Sequence, residues 1–237
     1  AGWILHRAGP VMAGSDALRI TLHGRGGHGA SPQTTVDPIV MAASTVMKLQ
    51  TVVSRTIDPT DVAVVTVGSM HAGTKENIIP DRAELDLSVR SFEEGVREKL
   101  LAAIERIVHG EAHAAGAPKD PEVELLYGFP PLHNDPATIT TVAEALLGHF
   151  GPERVVPAPL VPASEDFGHF GTRGGFPSAF WFVGGADAEL WTKAFAAGTL
   201  AEDIPSNHSP FYAPVQEPTL STGIEAMVTA ARCWLAA

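Results

Sequence analysis

The sequence is poor in cysteine and in long apolar runs, and this narrows where the protein works. Its 237 residues include one cysteine, Cys233, so no disulfide can form within the chain and a cytoplasmic location is expected. No apolar run approaches the roughly 18 residues that a membrane helix requires. The first residues also lack the order of charged, apolar and small residues typical of a signal peptide. The composition therefore predicts neither secretion nor membrane insertion.

Positive charge is also scarce. There are 16 basic residues against 27 acidic ones, which gives a formal net charge of −11. Such a charge opposes nonspecific binding to nucleic acid or to anionic lipid, so neither partner is expected and small molecules or peptides are favoured. An initiator methionine is missing too, and residues 1–10 resemble the inside of a folded segment. We therefore expect the chain to be part of a longer protein.

Hydrophobic residues make up 45% of the sequence, which is enough for one large or two ordinary domains. The first half alternates strand and helix patterns, with Asp37 as the N-cap of the first helix, Pro38 at its first position and Ser91 as the cap of the second. The predicted order is strand 17–23, helix 36–49, strand 62–70 (buried), strand 83–90, helix 92–115 and strand 122–127. This β-α-β-β-α-β order predicts a ferredoxin-like two-layer sandwich.

The second half gives α/β fragments without a complete sheet. Residues 130–136 are rich in proline and are interpreted as a linker. Beyond them we predict a helix over 136–150, a buried strand over 178–185, a loop over 206–212 and an amphipathic helix over 218–235. The fold class is therefore α/β, with an α+β part at the start.

The most distinctive stretch is Gly24-Arg25-Gly26-Gly27-His28-Gly29-Ala30, between the first strand and the first helix. Its glycines allow positive φ or close approach to another surface, and they leave His28 as the bulky group on a thin backbone. Two interpretations stay open from this motif alone. His28 is either a binding or catalytic group, or an incidental histidine on a glycine-rich turn.

Other candidate chemistry is sparse. His208 lies in a loop stiffened by Pro210 and is a candidate metal ligand or a structural histidine. Glu165 and Asp166 either support a metal site or cap a helix. The sequence has no Gly-x-Ser-x-Gly elbow, no His-Glu-x-x-His motif of the thermolysin type and no setting that would activate Cys233. Closed metal sites and nucleophilic side-chain catalysis are therefore not predicted.

Together these stretches resemble one family, the dinuclear-zinc aminoacylases and carboxypeptidases, in the amidohydrolase branch that includes hippurate hydrolase and the indoleacetyl-amino acid hydrolases. The resemblance covers nearly the whole chain. It rests on five motifs in family-like order: Gly9-Pro10-Val11-Met12-Ala13 with Asp16, the glycine loop of His28, Asn77-Ile78-Ile79-Pro80 with Arg90, Ser164-Glu165-Asp166-Phe167, and Asn207-His208-Ser209-Pro210.

The resemblance implies a metal-dependent amidohydrolase that cleaves N-acyl amino acids or related small amides. It implies a lid and dimerisation domain at residues 16–127, inserted between catalytic-domain pieces at 1–15 and 128–237, and a homodimer through the lid. His28 would polarise the scissile carbonyl in the partner's active site. Asn77 and Arg90 would hold the polar end of the substrate, and His208 would be the last ligand of two metals, with zinc expected and manganese, cobalt or nickel possible.

The family's other ligands and its general-base glutamate lie upstream of the lid and are not in this sequence. We therefore expect this chain to be inactive alone, and the segment from His133 onward to expose a face that is covered in the family. Two other hypotheses are kept. In one, the lid alone is a noncatalytic dimerisation or ligand-binding module; in the other, the chain is the product of a broken gene. The sequence identifies neither the acyl group nor the amino acid.

Overall fold

A computed structural model describes residues 1–235 of the chain. Eleven strands are present in this part: β1 Ile4–His6, β2 Gly9–Met12, β3 Gly14–His23, β4 Gly27–His28, β5 Ala63–Ala72, β6 Ile78–Ile79, β7 Arg82–Ser91, β8 Glu122–Phe129, β9 Leu132–Asn134, β10 Val155–Pro157 and β11 Trp181–Val183. Its α-helices are α1 Pro38–Thr56, α2 Glu94–Ala114, α3 Pro136–Phe150, α4 Gly168–Thr172, α5 Ala188–Ala197, α6 Leu200–Asp203 and α7 Thr219–Leu235.

The chain forms two compact units. One contains Met12–Leu132 and Leu160–Gly174, and the other contains Ala1–Val11, His133–Pro159 and the chain from Gly175 onward. We call them the sheet unit and the α/β unit. None of the helices within residues 1–235 is long and apolar enough to cross a membrane.

The sheet unit is built on a four-stranded sheet with the order β5-β7-β3-β8, in which every neighbouring pair is antiparallel. Helices α1 and α2 pack against one face of this sheet and against each other. In chain order the elements are strand, helix, strand, strand, helix, strand. The predicted ferredoxin-like sandwich is therefore confirmed.

Alternation along β3 and β7 builds the core of this unit. Leu18, Ile20 and Leu22 of β3 and every second residue of β7 point to the helices and are buried. They meet the apolar stripes of the helices, which include Leu49 and Leu100. The intervening strand residues lie on the opposite face, away from α1 and α2. We call this opposite side the open face.

The two helix starts differ in how well the sequence predicts them. Asp37 is the N-cap of α1, because its Oδ1 accepts a hydrogen bond from the Ile39 backbone N–H at 2.8 Å, and Pro38 follows at the first position. Both predictions are confirmed. The predicted Ser91 cap is wrong: Ser91 ends β7 and is buried there, and α2 starts after Glu93 with no side-chain cap.

Two strands are less buried than predicted. β5 is an edge strand, and alternate residues such as Val64 are exposed. In the α/β unit, β11 covers only Trp181–Val183 and is half-buried. An edge strand has one neighbour and shields fewer side chains than an interior strand. The apolar composition predicted both strands, but it did not show that each lies at an edge.

The α/β unit contains a small sheet with the order β10-β1-β11, in which β1 pairs parallel with β10 and antiparallel with β11. α3 and α7 pack together over this sheet through Val142, Leu146 and Ala226. The helix predictions for residues 136–150 and 218–235 are confirmed. α7 also leaves large apolar side chains exposed on its other side, including Ile224 and Met227, as the exposed-face prediction stated.

The segment predicted as a linker is partly built into the fold. Within residues 130–136, Leu132 and Asn134 belong to β9 and are almost completely buried. The Asn134 side chain accepts from the Phe180 backbone N–H at 2.6 Å and donates to the carbonyls of Arg7 and Phe180. Its amide thus links the backbone at Arg7 to the backbone at Phe180. The chain passes from the sheet unit to the α/β unit between Leu132 and His133, so the predicted crossing lies in this segment, although the segment itself contains a strand.

Candidate active-site residues

The glycine loop is shaped by close approach and not by unusual dihedral angles. None of its glycines has a positive φ. Instead, a Cβ on Gly24 would lie 2.4 Å from the Val36 carbonyl oxygen, and a Cβ on Gly26 would lie 2.8 Å from that of Ile79. No side chain fits at these distances. Glycine is therefore needed here because neighbouring backbone approaches closely, and not because φ is positive.

This packing presents His28 at the tip of the sheet unit. His28 pairs with Ile78 in the short β4-β6 ladder, and its side chain is exposed. The Nδ1 atom accepts a hydrogen bond from the Ala30 backbone N–H at 3.1 Å. An accepting ring nitrogen carries no proton, so the neutral imidazole carries its proton on Nε2. His28 therefore directs a single N–H donor away from its own backbone.

Asn77 lies beside His28. Its carbonyl oxygen accepts from the Gly29 N–H at 2.8 Å, and its side chain is exposed. The Gly24 N–H donates to the Asp81 carbonyl at 2.8 Å, which fixes the loop to the segment just before β7. His28 and Asn77 thus form one polar group at the Arg82 end of β7.

Arg90 lies at the opposite end of the same strand. Eight residues separate it from Arg82, which corresponds to roughly 26 Å along an extended strand. Its Nη1 donates to the Pro162 carbonyl at 2.9 Å, so the guanidinium is held against the 160–174 segment. Within one chain, Arg90 therefore cannot meet the same small ligand as His28 and Asn77.

Glu165 and Asp166 lie on the segment that Arg90 contacts. The Glu165 Oε1 accepts from the Asp166 backbone N–H at 2.8 Å. The following helix, α4, has Phe167 at its N-cap position and no side-chain capping bond. The interpretation of this pair as a helix cap is therefore wrong. Glu165 is half-buried and Asp166 is exposed.

His208 lies in the α/β unit on a turn closed by the Ser209 N–H donating to the Ser206 carbonyl at 3.0 Å. Of residues 1–235, it is the only non-glycine residue with a positive φ, at 72°. The left-handed region is uncommon for residues with a side chain and is concentrated at functional sites. The imidazole is exposed.

Metal binding requires several donors in one place, and the described chain does not supply them. Among residues 1–235, no group of three or more His, Cys, Asp or Glu side chains is arranged to hold a metal ion. His208 has the right chemistry for one zinc ligand, but by itself it does not form a site. The residues present therefore fit a contribution to a metal centre and not a complete one.

Two ion-pair groups in the sheet unit were not predicted from the sequence. Asp16, almost completely buried, accepts from Arg97 Nε at 2.7 Å and from Nη2 at 2.8 Å. This pairing raises the pKa of Arg97 above its ordinary value. On the open face, Arg19 makes a two-pronged contact with Asp86 at 2.8 and 3.0 Å, and these hydrogen bonds hold the pKa of Asp86 below its usual range.

Comparison with known proteins groups this chain with hydrolases. Residues 13–115 match the family model of the peptidase dimerisation domain. The chain is 32% identical to N-acetylcysteine deacetylase from Bacillus subtilis over 93% of this chain and 56% of that protein. It is 38% identical to hippurate hydrolase from Campylobacter jejuni over 69% of this chain and 43% of that protein.

Solved structures show the same relationship. A crystal structure from methicillin-resistant Staphylococcus aureus has a TM-score of 0.80 and 29% identity, covering 97% of this chain and 54% of that one. The YxeP protein of Bacillus subtilis, described as a dinuclear metal binding peptidase of the M20 family, has a TM-score of 0.69 and 24% identity, covering 97% and 53%.

Residues 13–115 therefore match a peptidase dimerisation domain, and the chain is similar over most of its length to carboxypeptidases, deacetylases and hippurate hydrolase. The resemblance drawn from the five sequence motifs is confirmed. The chain spans about half the length of the curated relatives it matches.

Proposed function

We propose that the whole protein is a metal-dependent amidohydrolase that cleaves the amide bond of N-acyl amino acids or related small amides. Related proteins include deacetylases, hippurate hydrolase and an N-acyl-L-amino acid amidohydrolase. In this proposal residues 16–127 are the lid, and residues 1–15 and 128–237 belong to the catalytic domain. A cytoplasmic location is also proposed, supported by the single cysteine.

The observation that supports a shared active site most directly is the distance between the candidate residues. His28 and Asn77 lie at one end of the sheet and Arg90 at the other, about a strand length apart. A small amide cannot contact both ends of one copy. We therefore propose that each site takes His28 and Asn77 from one copy and Arg90 from the other.

Each residue has a chemical role in this proposal. His28 Nε2–H donates to the carbonyl oxygen of the scissile amide, where negative charge develops as the carbonyl is attacked. Arg90 binds the free carboxylate of the amino-acid part, because a guanidinium presents several N–H donors to two carboxylate oxygens. Asn77 donates its side-chain amide beside His28 and orients the carbonyl.

Divalent metal, proposed as two zinc ions with manganese, cobalt or nickel as alternatives, would supply the activated water and Lewis acidity. A metal-binding peptidase of the M20 family is among the structural relatives. From this chain, His208 is the proposed ligand, and Glu165 and Asp166 are separate candidates to support a metal. The other ligands lie outside these 237 residues in this proposal.

We further propose that two copies associate through the edge strand β5 and the adjacent helix α1. The domain matched by residues 13–115 is named for dimerisation, and both elements lie within it. Their outer sides carry exposed apolar residues: Val62, Val64 and Met70 near or on β5, and Ile39, Val40 and Met47 on α1. An open edge with apolar flanks is suited to pairing with a second copy of itself.

The decisive test is made on the whole protein with hippurate and N-acetyl amino acids. His28→Ala removes the oxyanion donor, and we expect kcat to fall about 100- to 1,000-fold. Arg90→Gln should instead raise KM for carboxylate substrates and leave the corresponding amino-acid amides much less affected. His113→Gln, on an exposed helix end, serves as a control. Unchanged kcat in the His28 variant would contradict the proposal, as would failure of the metal-loaded wild type to hydrolyse any of these amides.

A further inference from the structure

A cavity of about 310 Å³ opens on the open face at the Arg90 end of the sheet. It lies entirely within the sheet unit. Small side chains from three neighbouring strands line it, and apolar side chains from the fourth stand beside them. Its main lining residues are Ala17, Gly68, Ser88, Arg90, Leu126 and Tyr127.

Two β-bulges flank this cavity. In the β5-β7 pairing, Val67 faces Leu87 and Ser69 faces Asp86, so Gly68 is the extra residue. In the β3-β8 pairing, the register shifts between Ala17 and Leu18 and leaves Leu126 as the extra residue. Bulges are common next to functional sites, where they redirect side chains. Here both bulge residues line the same cavity, on opposite sides of the central strands.

The glycine at position 68 is not required by the backbone. It lacks a positive φ, and a Cβ built on it would meet only the Asp86 carbonyl oxygen, at an ordinary 3.7 Å. A glycine inside a strand weakens the strand and often marks a place that another group approaches closely. At this position the missing side chain keeps the cavity open.

The charges around the cavity favour one kind of ligand. Asp86 lines it, but this carboxylate is already bound by Arg19 at 2.8 and 3.0 Å and by the Ser69 hydroxyl at 3.2 Å. Arg90 uses only Nη1, toward Pro162, among residues 1–235, so other N–H groups remain for a ligand. Leu126 and Tyr127 are 41% and 60% exposed and provide an apolar wall.

We propose that this cavity binds the side chain of the amino acid whose carboxylate Arg90 holds, and that it selects uncharged, medium-sized side chains such as leucine. This inference rests on the proposed function. The carbon that carries the carboxylate also carries the side chain, so the wall next to the guanidinium is the wall that the side chain meets. Both charges at the cavity are already used, since Asp86 is bound by Arg19 and Ser69 and Arg90 would bind the substrate carboxylate. A charged side chain would therefore lose water in the cavity without gaining a free counter-charge, which disfavours it.

The test uses the whole protein and N-acetylglycine, N-acetyl-L-leucine, N-acetyl-L-aspartate and N-acetyl-L-lysine as substrates. Wild type should have the highest kcat/KM for the leucine substrate. Gly68→Val fills the cavity, and we expect it to lower kcat/KM for the leucine substrate at least about tenfold while changing the glycine substrate by less than about threefold. Thr21→Val is the control. Thr21 lies on the same face of the sheet but toward the Arg82 end and outside the cavity, so this change should leave kcat/KM for both substrates unchanged.

The possible failures are distinguishable. If the whole protein hydrolyses these substrates but Gly68→Val lowers all of them equally, the cavity proposal is overturned and the proposed function stands. If it hydrolyses none, the 237-residue chain is titrated with N-acetyl-L-leucine and with its amide by amide NMR. Shifts around Gly68 and Arg90 that require both the carboxylate and the leucine side chain support the cavity. Equal shifts with the amide or with N-acetylglycine overturn it.

Discussion

At the scale of single residues, the ion pair between Asp16 and Arg97 is more buried than the pair between Arg19 and Asp86. The Asp16 side chain is 2% exposed and receives two hydrogen bonds from one guanidinium. The remaining guanidinium nitrogen of Arg97, Nη1, lies 2.8 Å from Glu94 Oε1. The pair connects β3 to α2, and a buried carboxylate without its partner is strongly destabilising.

We expect Arg97→Leu to lower the free energy of unfolding by about 3 kcal/mol, because Asp16 would remain buried without a counter-charge. Urea denaturation of the 237-residue chain, followed by circular dichroism, measures this change. Arg106→Leu is the matched control, since Arg106 is exposed on the same helix and should change stability by less than about 0.5 kcal/mol. Equal effects of the two variants would contradict a structural role for the buried pair.

These residues also show what the sequence can predict. His28 is recognisable because four glycines lie within four positions of it, so the signal is local. Asp16 and Arg97 are 81 positions apart, and only the fold brings them together. The same is true of Asn134, which resembles a loop asparagine among prolines but lies buried with three side-chain hydrogen bonds.

At the scale of elements, the two edges of the four-stranded sheet have different surroundings. β5 is flanked by α1 and has no charged residue along its length. β8 carries Glu122 and Glu124 in its first half and the exposed apolar residues Leu125, Leu126 and Tyr127 after them. Charges on an edge strand discourage pairing with another chain. The uncharged β5 edge is therefore better suited to pairing with a second copy than the β8 edge, whose first half carries two carboxylates.

This difference predicts opposite outcomes for two similar substitutions. Met70 on β5 and Leu125 on β8 are 48% and 50% exposed, and each faces the helix side at its own edge. Met70→Glu should weaken self-association at least about tenfold by placing a charge in the interface. Leu125→Glu should leave it unchanged. Sedimentation equilibrium over a range of concentrations measures both, and a weaker dimer only in the Leu125 variant would place the interface at the other edge.

Sequence patterns predicted the elements better than their positions in the sheets. The alternation of β3 and β7 and the cap of α1 are local features, so they were predicted correctly. That β5 is an edge strand, that β11 is short, and that Ser91 ends a strand instead of capping α2 all depend on which neighbour each segment acquires. Composition and periodicity do not contain this information, since tertiary pairing decides it.

At the scale of the whole molecule, the candidate residues form separate groups. His28 and Asn77 are at one end of the sheet unit and Arg90 is at the other, while His208 belongs to the α/β unit. The sequence motifs proposed these residues as a family set, but motif order along the chain does not reveal their spatial distribution. The strand length between the two ends is the reason that the proposed site takes residues from a second copy.

This separation makes two inactive variants able to rescue each other. When His28→Ala and Arg90→Ala proteins exchange subunits at equal amounts, half of the dimers are hybrids, and one of the two sites in each hybrid is intact, so about a quarter of the wild-type turnover should return. His28→Ala mixed with Asn77→Ala should give no such recovery, because every hybrid site retains one lesion. If activity returns in neither mixture, each active site takes these residues from a single chain and the proposal of a shared site is wrong.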